Sequence, residues 1–202
     1  MTTVMVSIAA FIAAISAHEF AHAFAAWKLG DDTAMASGRL TMNPIAHIDP
    51  VGTLLLPALL VVMNSPVVFG WAKPVPIDPR KFSSPRIGLL ITGVAGPLAN
   101  FVLAAAAALI VRSGLFVPGG YVFFFFASLL LVNVVLGVFN LIPIPPLDGS
   151  NILVAVLPVK AARVLARAGR YGSIILVALL YAGLLDRVIF PIVKAVTGYL
   201  LK

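Results

Sequence analysis

Residues 4–27 read VMVSIAAFIAAISAHEFAHAFAAW, an apolar run of 24 residues with two histidines and a glutamate in its second half. At 1.5 Å per residue, a helix of this length crosses the hydrocarbon core of a bilayer. Ionisable side chains are costly there and usually serve a function. The pentapeptide His18-Glu19-Phe20-Ala21-His22 contains two of the chain's three histidines and its only glutamate. The run therefore predicts a membrane helix that carries a chemical site.

The composition of the chain indicates an integral membrane protein. Of its 202 residues, 61% are hydrophobic and 10% are charged, and the mean hydropathy is +1.10. A soluble domain of this size could not cover its surface with so few polar side chains. The net charge of +7 resides in loops between apolar runs. Membrane topology and the anionic headgroups of the lipid bilayer explain this charge better than nucleic acid does.

The order of apolar and polar segments predicts one all-α polytopic domain over residues 1–202. We expect about four spanning helices, at 4–27, 87–111, 121–142 and 171–185. The apolar residues 51–70 are interrupted by prolines, which predicts a re-entrant element. The proline-rich residues 71–86 predict short extended segments on the cytoplasmic side. The amphipathic tail, residues 188–202, predicts an interfacial helix.

The pentapeptide has the spacing of a metal site. Residues four apart share one face of a helix, so His18 and His22 can bind one ion. Glu19 can accept a proton from water at that ion. The chain has no cysteine, so nitrogen and oxygen must supply the ligands, which zinc accepts. If the histidines were only hydrogen-bonded core residues, the position of the sole glutamate between them would be unexplained.

A catalytic zinc site needs a third protein ligand. Ala25 and Lys28 exclude the Gly and His that follow HExxH in metzincins, and the chain has no second glutamate for a gluzincin site. The remaining candidates are Asp31, Asp32, His47, Asp49, Asp78, Asp148 and Asp186. Asp148 is favoured because it follows a span broken by prolines, in the sequence NLIPIPPLDG at 140–149. Broken helix is tolerated at membrane depth where it lines a cavity or packs in protein.

These motifs together resemble the site-2 protease family of intramembrane zinc metalloproteases over nearly the whole chain. The matching segments are HEFAH at 18–22, GRLTMNP at 38–44, HIDP at 47–50, FGWAKPVP at 69–76, GPLAN at 96–100 and PPLDG at 145–149. The resemblance implies a zinc metalloendopeptidase of the HExxH plus LDG type, with one zinc ion held by His18, His22 and Asp148. It implies Glu19 as the general base and membrane-embedded proteins as substrates. The chain is similar to the compact prokaryotic type, since it has no room for an inserted PDZ domain or a CBS pair.

Three asparagines lie within the predicted spans. Asn140, eight residues before Asp148, is a candidate for binding the substrate backbone or for helix packing. Helix packing is the better explanation for Asn100 and Asn133. Residues 71–76 are a candidate strand edge, because a substrate helix that unwinds for cleavage needs a place to bind in extended form.

Two other functions use the same residues. A metal or ion transporter would need a continuous polar path, and the spans 87–111 and 121–142 offer only three asparagines for one. A catalytically inactive, substrate-binding relative would not need Glu19. Proteolysis of single-span membrane proteins whose helix is locally unstable is therefore the favoured function, and the sequence does not define an oligomeric state.

The basic residues predict the orientation in the cell membrane. If residues 51–70 dip in and return, ten of the 14 Lys and Arg residues lie on one side and four on the other, whereas a full crossing separates them eight and six. Cytoplasmic loops carry the excess of positive charge, so the re-entrant topology is favoured, with the N-terminus outside and residues 28–86 in the cytoplasm. The two histidines and Asp148 then approach the same cytoplasmic side, as one shared metal requires.

Because the chain has no cysteine, a single introduced thiol tests this topology. We expect Asn64→Cys, near the middle of the re-entrant segment, to react with a membrane-impermeant thiol reagent from the cytoplasmic side. The measurement compares labelling of intact cells with labelling of inverted vesicles. Labelling from outside alone would contradict the re-entrant topology.

Overall fold

The computed structural model describes residues 2–63 and 70–202, and these residues are mainly helical. Their α-helices are α1 (Thr2–Lys28), α2 (Thr33–Ala36), α3 (Leu56–Val62), α4 (Pro85–Arg112), α5 (Tyr121–Asn140), α6 (Asp148–Val156), α7 (Val159–Ala168), α8 (Gly172–Tyr181) and α9 (Leu184–Leu200). None of the described residues forms a β-strand. The prediction of an all-α chain is confirmed.

Four helical segments in the described part of the chain are long and apolar enough to cross a membrane. They are Thr3–Lys28, Pro85–Arg112, Tyr121–Asn140 and Val159–Tyr181. The predicted number of spans is confirmed, but the fourth begins earlier than residue 171 because α7, a short 3-10 turn and α8 follow one another almost without a break. The basic stretch is helical because alanine, leucine, lysine and arginine are strong helix formers.

The core of the bundle is formed by α1, α4 and α5. Small residues fill the centre: Ala10 of α1 and Ala104, Ala107 and Ala108 of α4 are all buried. Val134 of α5 is fully buried against them. Small side chains let membrane helices approach closely, so van der Waals contact can hold them together.

The tail forms α9, which packs mainly on α5. Its apolar stripe covers the core cluster, with Val193 buried and with Ile189, Val196 and Leu200 partly buried against it. These positions recur at helical spacing, so they lie on one face of α9. The sequence predicts that the apolar face of this tail lies in the membrane interface. In the structure, at least part of that face is covered by the protein.

The two ends of the predicted re-entrant element lie side by side. The Trp71 N–H donates to the carbonyl oxygen of Gly52 at 3.1 Å, and the Thr53 hydroxyl donates to the carbonyl oxygen of Trp71 at 2.8 Å. A segment that crossed the bilayer would separate its ends by about 30 Å. The contact is the one that a re-entrant element requires. Residues 64–69, which include the labelling position Asn64, lie outside the described residues.

A tight turn between α5 and α6 returns the chain to the bundle at Asp148. Gly149 permits this turn, because a Cβ atom there would lie 2.3 Å from the carbonyl oxygen of Leu141 and 2.5 Å from that of Ile142. Carbon cannot approach a carbonyl oxygen so closely, so any side chain at this position forces the turn open. From the turn, α6 packs against α4 and brings Asp148 to the centre of the molecule.

The turn can be tested by substituting its glycine. We expect Gly149→Ala to lower the free energy of unfolding in detergent by about 1–3 kcal/mol, as overpacking does elsewhere. The control is Gly198→Ala in α9, where a Cβ atom meets nothing within 4 Å. That substitution should stabilise by up to about 1 kcal/mol through helix propensity. Equal stability of the two variants would contradict the packing of this turn.

Candidate active site

Three ionisable side chains converge where α1, α4 and α6 meet. The Nε2 atoms of His18 and His22 are 3.0 Å apart, and each lies 3.2 Å from Oδ2 of Asp148. Both histidines are buried and the aspartate is partly buried. Across residues 2–63 and 70–202, this is the one group of three or more such side chains close enough to share a metal ion.

The arrangement fits a tetrahedral zinc ion. Zinc bonds to nitrogen and oxygen of roughly 2.0–2.2 Å imply about 3.3–3.6 Å between neighbouring ligand atoms. The observed separations of 3.0–3.2 Å are slightly shorter than this range, so a small outward movement of the side chains accommodates the ion. Lone pairs at such distances repel unless a proton or a cation lies between them. Two imidazoles and one carboxylate also leave a fourth position for water, as catalytic zinc sites do.

Helix α4 fixes the orientation of both imidazole rings. His22 Nδ1 lies 2.7 Å from the carbonyl oxygen of Thr92, and His18 Nδ1 lies 2.7 Å from Oδ1 of Asn100. Thr92, Gly96 and Asn100 are spaced by four residues, so they share the face of α4 that meets α1. Each ring therefore has its Nδ1 engaged and its Nε2 directed toward Asp148.

Two glycines of α4 make room for the cluster. A Cβ atom on Gly96 would lie 2.3 Å from His22 Nε2 and 2.6 Å from His18 Cε1, so a side chain there would displace both rings. A Cβ atom on Gly93 would lie 3.1 Å from Cγ1 of Ile152, where α6 crosses α4. The absence of side chains at these two positions lets α1 and α6 approach the same helix.

An extended segment, residues 70–78, runs past α1 and is called the strap. Its Val75 N–H donates to Oε2 of Glu19 at 3.1 Å. Its Lys73 N–H donates to the carbonyl oxygen of His47 at 3.0 Å. With the Trp71 bond described above, residues 71, 73 and 75 each point their N–H toward the body of the protein, as alternate residues of an extended chain do.

Two buried charged residues fasten the strap. Arg39, 6% exposed, donates to the carbonyl oxygens of Lys73 and Pro74. Asp31, 0% exposed, accepts the N–H of Asp78 at 2.7 Å. At the end of the strap, the hydrogen bonds from Arg80 hold the pKa of Asp78 at about 2, so this carboxylate is charged at neutral pH.

The outer edge of the strap is poor in hydrogen-bond donors. Residues 72, 74 and 76 face away from the inward residues in an extended chain. Two of them, Pro74 and Pro76, have no N–H, so Ala72 is the one main-chain donor of the three. The carbonyl oxygen of Pro74 already accepts from Arg39, so a strand added here would find few main-chain partners, as at the proline-blunted edges of natural sheets. Strand addition at residues 71–76 stays a prediction, and it has less support than the sequence suggested.

Most of the other candidate third ligands have partners of their own. Asp31 binds the strap and Thr33, Asp32 pairs with Lys81, Asp49 accepts the N–H groups of Val51 and Gly52, Asp78 pairs with Arg80, and His47 Nε2 lies 2.9 Å from the carbonyl oxygen of Thr41. The side chain of Asp186 lies outside the described residues. Asp148 is the candidate that meets the histidines.

The structure assigns partners to the three asparagines. The Asn140 amide donates to the carbonyl oxygen of Leu136 at 3.1 Å within α5, and its role in substrate binding stays a prediction. Asn100 contacts His18 directly. The sequence analysis assigned Asn100 to helix packing and did not predict this contact. The signal was present in the spacing of Thr92, Gly96 and Asn100, which marks one polar and small face of an otherwise apolar helix.

Comparisons with known proteins agree with the chemistry of the site. Peptidase family M50 matches residues 116–183. "Putative zinc metalloprotease YwhC" of Bacillus subtilis is 36% identical over 198 residues, which cover 95% of this chain and 87% of the relative. "Putative zinc metalloprotease Rip2" of Mycolicibacterium smegmatis is 35% identical over 187 residues, which cover 92% of this chain and 70% of the relative. "Zinc metalloprotease MJ0392" of Methanocaldococcus jannaschii is 35% identical over 120 residues, which cover 57% of this chain and 34% of the relative.

No solved structure matches the chain. The curated relatives, however, align over most of its length, and their names agree with the chemistry of the histidine and aspartate cluster. The resemblance inferred from the motifs is confirmed. The chain belongs to peptidase family M50, the site-2 protease family, and is a zinc metalloprotease with several membrane-spanning helices.

Proposed function

We propose that this protein is an intramembrane protease that hydrolyses peptide bonds of membrane-embedded proteins and uses one zinc ion per chain. The main support is the convergence of His18, His22 and Asp148, with ligand atoms 3.0–3.2 Å apart. The histidines belong to a helix long and apolar enough to span a bilayer. A hydrolytic site built on such a helix acts on peptide bonds that are themselves in or near the membrane.

The proposed chemistry divides between the metal and Glu19. Zinc bound by His18, His22 and Asp148 would polarise the scissile carbonyl and lower the pKa of water toward about 7. Glu19 takes a proton from the attacking water and passes it to the leaving amine. The bond from the Val75 N–H holds Oε2 of this carboxylate in place. The strap thus orients the general base.

The proposed substrates are single-span proteins whose helix is locally unstable. A peptide bond within an intact helix is shielded, and its N–H and carbonyl groups are already paired. Unwinding near the site exposes the bond, and Asn140 is the proposed partner for the freed backbone. The distribution of basic residues supports an orientation with the N-terminus outside and the site toward the cytoplasm, from which water enters.

The alternatives have less support. A transport path would need polar groups exposed along the bundle, but Asn100 and Asn133 are each 0% exposed and are engaged with other groups. A substrate-binding protein without activity has no need of a glutamate in the metal-binding pentapeptide. Proteolysis accounts for the ligands and the base together.

Replacement of Glu19 tests the proposed reaction. We expect Glu19→Gln to slow cleavage of a membrane-embedded reporter by a factor of about 10²–10⁴, because the base is lost while the metal ligands remain. Purified protein in liposomes is compared with the variant, and zinc is measured in both. If Glu19→Gln binds as much zinc as the wild type but no longer cleaves, the defect lies in the base and not in the binding of zinc. Cleavage at the wild-type rate by Glu19→Gln, or by protein freed of zinc with a chelator, would contradict the proposal.

The strap contact to Glu19 generates a separate prediction. Val75→Pro removes the N–H that binds the carboxylate, and hydrogen bonds to charged groups are worth about 1.5–3 kcal/mol. We expect this variant to cleave about 10-fold to 100-fold more slowly with its zinc content unchanged. Val75→Ala keeps the N–H and should cleave at nearly the wild-type rate. If the two variants cleave equally fast, the main-chain bond does not orient the base.

A further inference from the structure

We propose that Asn133 and Asn100 form a directional hydrogen-bond relay that selects the tautomer of His18. The relay keeps the proton on Nδ1 and leaves Nε2 free to bind a metal. Both asparagines are positioning residues, since they act through His18. The inference rests on the proposed function in that it takes His18 as a metal ligand.

The relay is an unbroken line of short contacts. Asn133 Nδ2 donates to the carbonyl oxygen of Leu129 at 2.8 Å. Asn100 Nδ2 donates to Oδ1 of Asn133 at 2.7 Å. Asn100 Oδ1 lies 2.7 Å from His18 Nδ1. Both amides are 0% exposed, so water does not compete for them. The line joins α5, α4 and α1 in that order.

The backbone carbonyl at one end dictates the direction of the whole line. A carbonyl oxygen only accepts, so the Asn133 atom that faces Leu129 must be the NH₂ group. The other Asn133 atom is then an oxygen, which requires the NH₂ group of Asn100 to face it. The remaining Asn100 oxygen can only accept, so His18 must donate from Nδ1.

The reverse order would create two repulsive contacts. If Asn100 donated to His18, its oxygen would face the carbonyl oxygen of Ala14, which now accepts from Asn100 Nδ2 at 3.4 Å. The Asn133 oxygen would face the carbonyl oxygen of Leu129. Each of these contacts would set two oxygen lone pairs against each other in a buried site, where no water separates them. One orientation is therefore populated.

The consequence is a prepared ligand pair. A neutral imidazole has one N–H, so donation from Nδ1 leaves a lone pair on Nε2. For His22 the carbonyl oxygen of Thr92 accepts directly from Nδ1, at 2.7 Å, and so leaves Nε2 free. For His18 two amides transmit the same preference from a carbonyl on a third helix. Groups that orient metal-binding histidines in this way typically contribute 10-fold to 100-fold in metal affinity.

A set of substitutions separates a tautomer relay from helix packing. In Asn133→Leu the NH₂ group of Asn100 keeps only the longer contact to Ala14, so the amide can turn and donate to His18. In Asn100→Asp the carboxylate can only accept, so His18 must still donate from Nδ1. Combining Asn133→Leu with Asn100→Asp should therefore cause no further loss. The control is Ser16→Ala in α1, which removes a buried hydroxyl that donates to the Ile12 carbonyl oxygen at 2.8 Å.

The readout is the zinc affinity of the purified full chain in detergent, measured by competition with a chromophoric chelator. We expect Asn133→Leu to weaken zinc binding about 10-fold to 100-fold. The double variant should bind zinc as tightly as Asn100→Asp alone, and Ser16→Ala should bind zinc as tightly as the wild type. Nitrogen NMR of the imidazole rings in zinc-free wild-type protein should show His18 protonated on Nδ1, a result that does not depend on any variant folding.

Three results would overturn the relay. They are an unchanged zinc affinity in Asn133→Leu, an equal loss from Asn133→Leu in the wild-type and Asn100→Asp backgrounds, and a zinc-free His18 that carries no proton on Nδ1. Failure of the wild type to bind zinc at all would instead overturn the proposed function. The two failures are therefore distinguishable.

Discussion

The structure depends on holding two imidazole rings of one helix with their Nε2 atoms turned toward Asp148. Inside a helix bundle in lipid, no water satisfies a ring that turns the wrong way, so each Nδ1 must have a fixed partner. Helix α4 provides both partners, the carbonyl oxygen of Thr92 and the side chain of Asn100. This requirement explains why α1 and α4 pack face to face and why the α4 residue between those partners is a glycine.

The remaining elements serve the same cluster from outside it. Gly149 allows the turn that returns Asp148 to the bundle, and α5 supplies Asn133 behind Asn100. The strap holds Glu19 by a main-chain bond and is itself fastened by the buried side chains of Arg39 and Asp31. The proposed metal ligands thus lie on packed helices, whereas the proposed base is oriented by the strap.

Much of this could be predicted from sequence because the decisive signals are local. Helical spacing paired His18 with His22, and the prolines before Asp148 marked a broken span whose carboxylate could turn inward. The contacts of Asn100 and Val75 could not be predicted in the same way. Asn100 lies 82 residues from His18 and Val75 lies 56 residues from Glu19, so these contacts depend on how helices rotate and loops return. The start of the fourth span was misjudged because basic residues suggested a loop, although arginine and lysine rank just below alanine in helix propensity.

The central claim is that His18, His22 and Asp148 together hold one zinc ion. X-ray absorption at the zinc edge, on purified protein loaded with one equivalent of zinc, tests it most directly. The account predicts nitrogen and oxygen ligands at about 2.0–2.2 Å with outer scattering from two imidazole rings. It also predicts that His22→Ala leaves outer scattering from one ring, and that Asp148→Ala weakens zinc binding while both rings stay. A spectrum with no imidazole scattering, a spectrum unchanged by His22→Ala, or wild-type zinc affinity in Asp148→Ala would contradict it.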